Sequence, residues 1–190
     1  MDIKISALLV WFGKNAEHEA IAARLLKAAA DASNAHVANC VAKLACLRLS
    51  PDPQTREAAL VLARRAVELG RKDSLLPWFQ LSLGMAEYRQ GHGAEAGEPL
   101  LAADKGAEHS SRSHRPFIQG TARFYRAMSL YQQGNPTEAR QLFSEAAAAM
   151  KPVPSNENNL LAAGANQDDL VLWLAYKEAK TLLAEPALSR

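Results

Sequence analysis

Tyr88-Arg89-Gln90-Gly91 is followed by Glu95-Ala96, Leu100 and Ala103, and Tyr131-Gln132-Gln133-Gly134 by Glu138-Ala139, Phe143 and Ala146. The two stretches keep the same kinds of residue at the same spacing, and their glycines stand 43 residues apart. A period of that length marks stacked helical hairpins, in which no unit buries its apolar face alone and each neighbour covers the last. The spacing therefore predicts an all-α fold, an α-solenoid of antiparallel hairpins that presents a surface to something else.

Outward from these stretches, apolar residues recur at helical spacing almost everywhere. Helices are expected over 5–13, 17–30 and 35–49, with Asp31, Ser33 and Asn34 as capping candidates between them. Asp52-Pro53 supplies an N-cap acceptor and a proline whose missing N–H costs nothing at the first helical position, and that helix runs to about Gly70. Helices over 75–90 and 94–105 form one clear hairpin around Gly91-His92-Gly93. Those over 116–133 and 136–150 form a second, with Asn135, Pro136 and Glu138 as N-cap, first-turn proline and capping glutamate. The segment Lys151-Pro152-Val153-Pro154 breaks the pattern, and a last amphipathic helix is expected over 168–183, its Asp168 and Asp169 at the positive end of the dipole. Nine helices result.

Composition agrees. Apolar residues make up 48% of the 190, aromatics only 6%, and much of the apolar share is alanine, which favours helix and lets helices approach closely. The formal charge of +2 gives no field that points to nucleic acid or an anionic membrane. No run approaches the length of a membrane span. Cys40 and Cys46, six residues apart on one helix, point in different directions, cannot pair with each other and suit a reducing compartment, so a cytoplasmic protein is expected.

Leu83-Gly84, Tyr88, Gly91, Ala96, Leu100 and Ala103 resemble the tetratricopeptide repeat pattern, as do Ala127, Tyr131, Gly134, Ala139, Phe143 and Ala146. Glu57-Ala58, Leu62 and Ala66 keep part of it, but the helix before them lacks the Tyr and Gly. The wider order, from Ala42-Lys43-Leu44 through the two repeats to Asp169-Leu170-Val171-Leu172-Trp173, is similar to helical-repeat regions at the C-termini of planctomycete-type bacterial serine/threonine kinases. No kinase signature is present: the chain has no His-Arg-Asp and no Asp-Phe-Gly. The resemblance implies a non-catalytic region, free-standing or part of a longer protein, that binds a protein or peptide as an adaptor or regulatory module without a cofactor or metal.

The same resemblance implies where the binding surface lies. Leu81, Met85 and Tyr88 repeat as Phe124, Met128 and Tyr131, on first helices that line the concave groove in such arrays, with Arg89 and Gln132 at its rim. Arg89 there suits a carboxylate or a backbone carbonyl. The alternative is that the stripe packs on neighbouring hairpins, or on a second copy of the chain to make a homodimer. Other clusters read as structure: His109 and His114 lack the partners of a metal set, Gly91-His92-Gly93 follows no strand, and Arg64, Arg65, Arg71 and Lys72 lie among Glu57, Glu68 and Asp73. The expected layout is one domain over 1–190, with a helical cap at 1–50, repeats over 52–150 and a capping helix at 168–184.

Overall fold

The computed structural model describes residues 3–184. They form nine α-helices: α1 (Ile3–Trp11), α2 (Asn15–Ala28), α3 (Ala35–Ala45), α4 (Pro53–Leu69), α5 (Leu76–Arg89), α6 (Gly93–Gly106), α7 (Arg115–Gln132), α8 (Pro136–Ala149) and α9 (Gln167–Ala184). No strand occurs among the described residues. The outer limits of the expected domain, at 1 and 190, lie outside them.

Helix boundaries fall within two residues of the sequence expectation except at the end of α3. α3 stops at Ala45 instead of Leu49, because Pro51 denies the preceding residue the helical conformation and the chain must turn before α4. The polar residues 106–115, expected as a loop or as an extended helix end, are in part the latter: α6 reaches Gly106 and continues as a 3-10 turn, Ala107–His109.

Three turns share one construction. Gly13, Gly91 and Gly134 adopt φ of 70°, 85° and 83°, the left-handed region that glycine enters without steric cost. In each, the glycine N–H bonds the carbonyl three residues back, and the next N–H bonds the carbonyl five residues back: Lys14 to Leu9, His92 to Glu87, Asn135 to Leu130. This is the Schellman helix stop, and it folds the next helix back on the first. The hairpins α1–α2, α5–α6 and α7–α8 are thus closed by the same device, with α3–α4 between them closed by the Pro51–Asp52–Pro53 turn. Asp52 caps α4 through the N–H groups of Gln54 and Thr55.

Small residues set how closely the hairpins pack. A Cβ on Gly84 would fall 2.3 Å from Leu100 Cγ, and one on Gly120 would fall 2.7 Å from Leu172 Cδ1. The 43-residue period is also a contact register. Across α3 and α5, His36 meets the ring of Phe79, Ser82 donates to Asn39 Oδ1 at 2.6 Å, and Arg89 Nε donates to the Cys46 carbonyl at 2.9 Å. α3 therefore belongs to the repeat series despite its weak pattern.

The second helix of each hairpin packs on the first helix of the next, which places α2, α4, α6 and α8 in an outer layer. The inner layer is α1, α3, α5, α7 and the unpaired α9, each touching the next, and α9 also touches α1. The inner layer therefore closes on itself. Trp11 and Trp173 form the seam, edge to face at 6.5 Å, with the Lys177 ammonium 4.1 Å from the Trp11 ring centroid. α9 begins with a capping box: Asn166 Oδ1 accepts from the N–H groups of Asp168 and Asp169, and Asp169 Oδ2 accepts from the Asn166 N–H.

Candidate binding cleft

The expected groove stripe divides in two. Leu81, Met85, Phe124 and Met128 are fully buried and line no surface. The groove expectation fails for these four because α5 and α7 are covered from both layers. α5 packs on α3, α4, α6 and α7, and most of its residues are buried whichever way they face. Phe124 is capped by the ring of Tyr176 from α9, 5.6 Å away, and by Phe143 at the same distance. A helix apolar on all sides is a core helix, not one wall of an open groove.

Tyr88, Arg89 and Gln132 lie at the C-terminal ends of the inner helices, where the chain does form a recess. Tyr88 stacks edge-on against Tyr125, with centroids 5.4 Å apart, and its Oη accepts from Gln132 Nε2 at 3.1 Å. Burial pushes the Tyr88 phenol up to about 12, with the Glu178 carboxylate adding to the effect and Arg89 opposing it. Tyr131 is half-buried and set apart from this group, beneath the Arg140 guanidinium at 5.7 Å.

Arg89 holds what its position predicts, a carboxylate and backbone carbonyls, but they come from its own chain. Its guanidinium donates to the carbonyls of Cys46 and Leu47, to Tyr125 Oη at 2.8 Å, and to both oxygens of Glu178 on α9. Burial alone would lower its pKa, but Tyr125 and Glu178 outweigh that, and the charge is held more firmly than usual. Tyr125 in turn donates to the Cys46 carbonyl at 3.1 Å. The thiol of Cys46, pushed up to about 12 by burial, is inert at neutral pH.

Two hollows flank this knot. One, of about 430 Å³, lies between the ends of α1, α3 and α5 and the outer turns of α9, walled by Val10, Trp11, Leu47, Leu174 and Leu182 and edged by Arg48, Lys177 and Thr181. The other, of about 310 Å³, is bordered by Leu49, Arg56, Gln90 and Gln132. Tyr88 and Glu178 line both, so the hollows adjoin at these two residues. The first has apolar walls and a charged rim, the make-up of a recognition site, and the second is lined mostly by polar and charged residues.

Several of these residues carry no signal in the repeat pattern. Glu178, Trp11 and Lys177 come from α1 and α9, outside the repeats, and meet the cleft only because the inner layer closes. Lys43, buried over the Trp78 ring at 4.4 Å with Asp168 at 4.0 Å, is a second inner-layer cation facing an α9 acid. The clusters read as structure find partners within the chain: His114 packs edge-on against Trp78, Arg64 pairs with Glu87, and Arg65 donates to the Ala30 carbonyl.

In comparison with known families, a tetratricopeptide repeat model matches residues 120–145, from the middle of α7 through the Gly134 turn into α8. No curated protein and no solved structure matches the chain. The match supports tetratricopeptide character for this hairpin, and repeats of that type serve protein–protein interaction. No helix among the described residues is long and apolar enough to cross a membrane.

Proposed function

We propose that the chain is a non-catalytic module that binds a segment of another protein in the cleft between α1, α3, α5 and α9. One observation carries this reading: where the inner layer closes, the helix ends leave an apolar-walled recess with a charged rim open to solvent. The partner would meet preformed walls and would itself carry most of the ordering cost. Tyr88, Arg89 and Gln132 keep their place at the site, as its floor and rim. Leu81, Met85, Phe124 and Met128 act through packing, and Tyr131 lies to one side.

The likeness to C-terminal repeat regions of bacterial kinases supports a role as adaptor or regulatory region in signalling. The contact of α1 with α9 supports treating the whole chain as one domain, with α1–α2 as its cap at one end and α9 at the other. Two free thiols fit a cytoplasmic setting.

Thr181, exposed on the cleft wall, gives the test. Thr181→Trp fills the recess without touching the core, so its melting temperature should equal that of the wild type. A protein retained from lysate by the wild type and lost by Thr181→Trp supports the reading; equal retention by both places binding elsewhere and sinks it. Light scattering on both proteins covers self-association: a wild-type dimer that the plug converts to monomer means that the cleft takes a second copy.

A further inference from the structure

Resting on that reading of the cleft, we infer that its ligand is an acidic segment in which a carboxylate stands beside a bulky apolar side chain. Four cationic side chains line the two hollows, Arg48, Arg56, Arg89 and Lys177, against one carboxylate, Glu178. The whole chain carries a formal charge of only +2, so this concentration is local. Arg89 is fully engaged and stays so. Arg48 and Lys177 pair with Glu19 and Glu157 at sites that are about a quarter to a half exposed. The half-exposed Lys177–Glu157 pair contributes little, so Lys177 can turn to an incoming carboxylate at small cost, whereas Arg48 is held by Glu19, which also accepts from Ser50 Oγ.

Arg56 is the residue that points most directly to a ligand. It donates to the Ser50 carbonyl at 2.7 Å, and no carboxylate among the described residues lies within 4 Å of it. Asp52, the acid nearest in sequence, feels the Arg56 charge without touching it and spends its oxygens on capping α4, accepting from the Gln54 and Thr55 N–H groups and from Thr55 Oγ1. Leu49, which borders the same hollow, is 54% exposed. A half-buried guanidinium with no carboxylate in contact, beside an exposed leucine, matches a carboxylate next to an aliphatic or aromatic side chain. The grip of Arg89 on Glu178 shows the same chemistry satisfied within the chain.

Selection of a random-peptide library on the intact protein tests this, followed by titration of the strongest synthetic peptide by fluorescence anisotropy at rising salt. The expected peptides place Asp or Glu beside Leu, Ile or Phe, bind more weakly as salt rises, and lose about tenfold in affinity to Arg56→Gln. Arg56→Lys should recover part of that loss, and Thr181→Trp should abolish binding. Selected peptides without acids, or equal affinity for Arg56→Gln, overturn the inference while leaving the cleft a binding site. Peptides that bind Thr181→Trp as well as the wild type, or no selection at all, defeat the binding reading itself. Tighter binding of a single-stranded oligonucleotide than of any peptide would reassign the cations to phosphate.

Discussion

Arg89 shows how much one residue can decide. It is 4% exposed and ties α3, α5, α7 and α9 together through two carbonyls, a phenol and a carboxylate. Arg89→Met should cost roughly 3–5 kcal/mol in urea denaturation, because it leaves Glu178 and the Leu47 carbonyl without their donor and the Cys46 carbonyl with Tyr125 alone. Adding Glu178→Met should cost less than the sum of the two single changes, since the second removes a charge already stranded. His18 contributes a pH response of its own. It is 1% exposed, its Nδ1 has no partner, and its pKa lies below 6.5 chiefly because burial penalises the imidazolium, with Glu19 opposing and Arg48 reinforcing. The unfolded chain binds a proton here from about pH 6.5 downward while the folded chain resists, so this contribution is full above 6.5 and is lost as pH falls through it. Denaturation midpoints across that range should fall with acid in the wild type and fall less in His18→Gln. The affinity of Arg89 for carboxylates and carbonyls is legible in the sequence, but that Glu178 supplies the carboxylate is not, because the two stand 89 residues apart.

At the scale of elements, the hairpins depend on positions where a side chain is missing. Gly84→Ala places a methyl within 2.5 Å of two Leu100 carbons and should destabilise by about 1–3 kcal/mol, with Leu100→Val recovering part of the loss. Gly134→Ala meets open space yet must hold φ of 83°, so it should cost about 1 kcal/mol through backbone strain alone. Thermal melts of the two variants, with and without Leu100→Val, separate packing from conformation. All nine helices and both central hairpins follow from apolar periodicity, prolines and turn glycines. The kinship of α1–α2 with them does not show, because Val10 stands where the repeats have tyrosine and His18 where they have alanine. Periodicity also cannot tell a groove-facing stripe from a core-facing one. Leu81 and Met85 have the right spacing for either, and only the neighbours of α5 decide.

For the molecule as a whole, the contact between α1 and α9 changes how it should unfold. Open arrays fray from their ends, since each unit leans only on its neighbours. Here the terminal helices share the Trp11–Trp173 seam, so loss of one exposes the other. Tryptophan fluorescence and helical circular dichroism should therefore report a single coincident transition in urea. Trp173→Ala, which removes the largest fully buried side chain, should cost about 3–5 kcal/mol and split the two signals. Hydrogen exchange in α1 should then accelerate well before exchange in α5. That closure was out of reach of the sequence, which gives the period of the repeats but not the angle each adds. The same seam also fixes a number. An open array tolerates gain or loss of a unit, because the ends never meet, whereas inserting or deleting one hairpin here would carry Trp11 and Trp173 apart and unmake both the join and the cleft beside it. A gene encoding this architecture is thus locked at its present count of repeats, free to vary residue by residue but not by duplication.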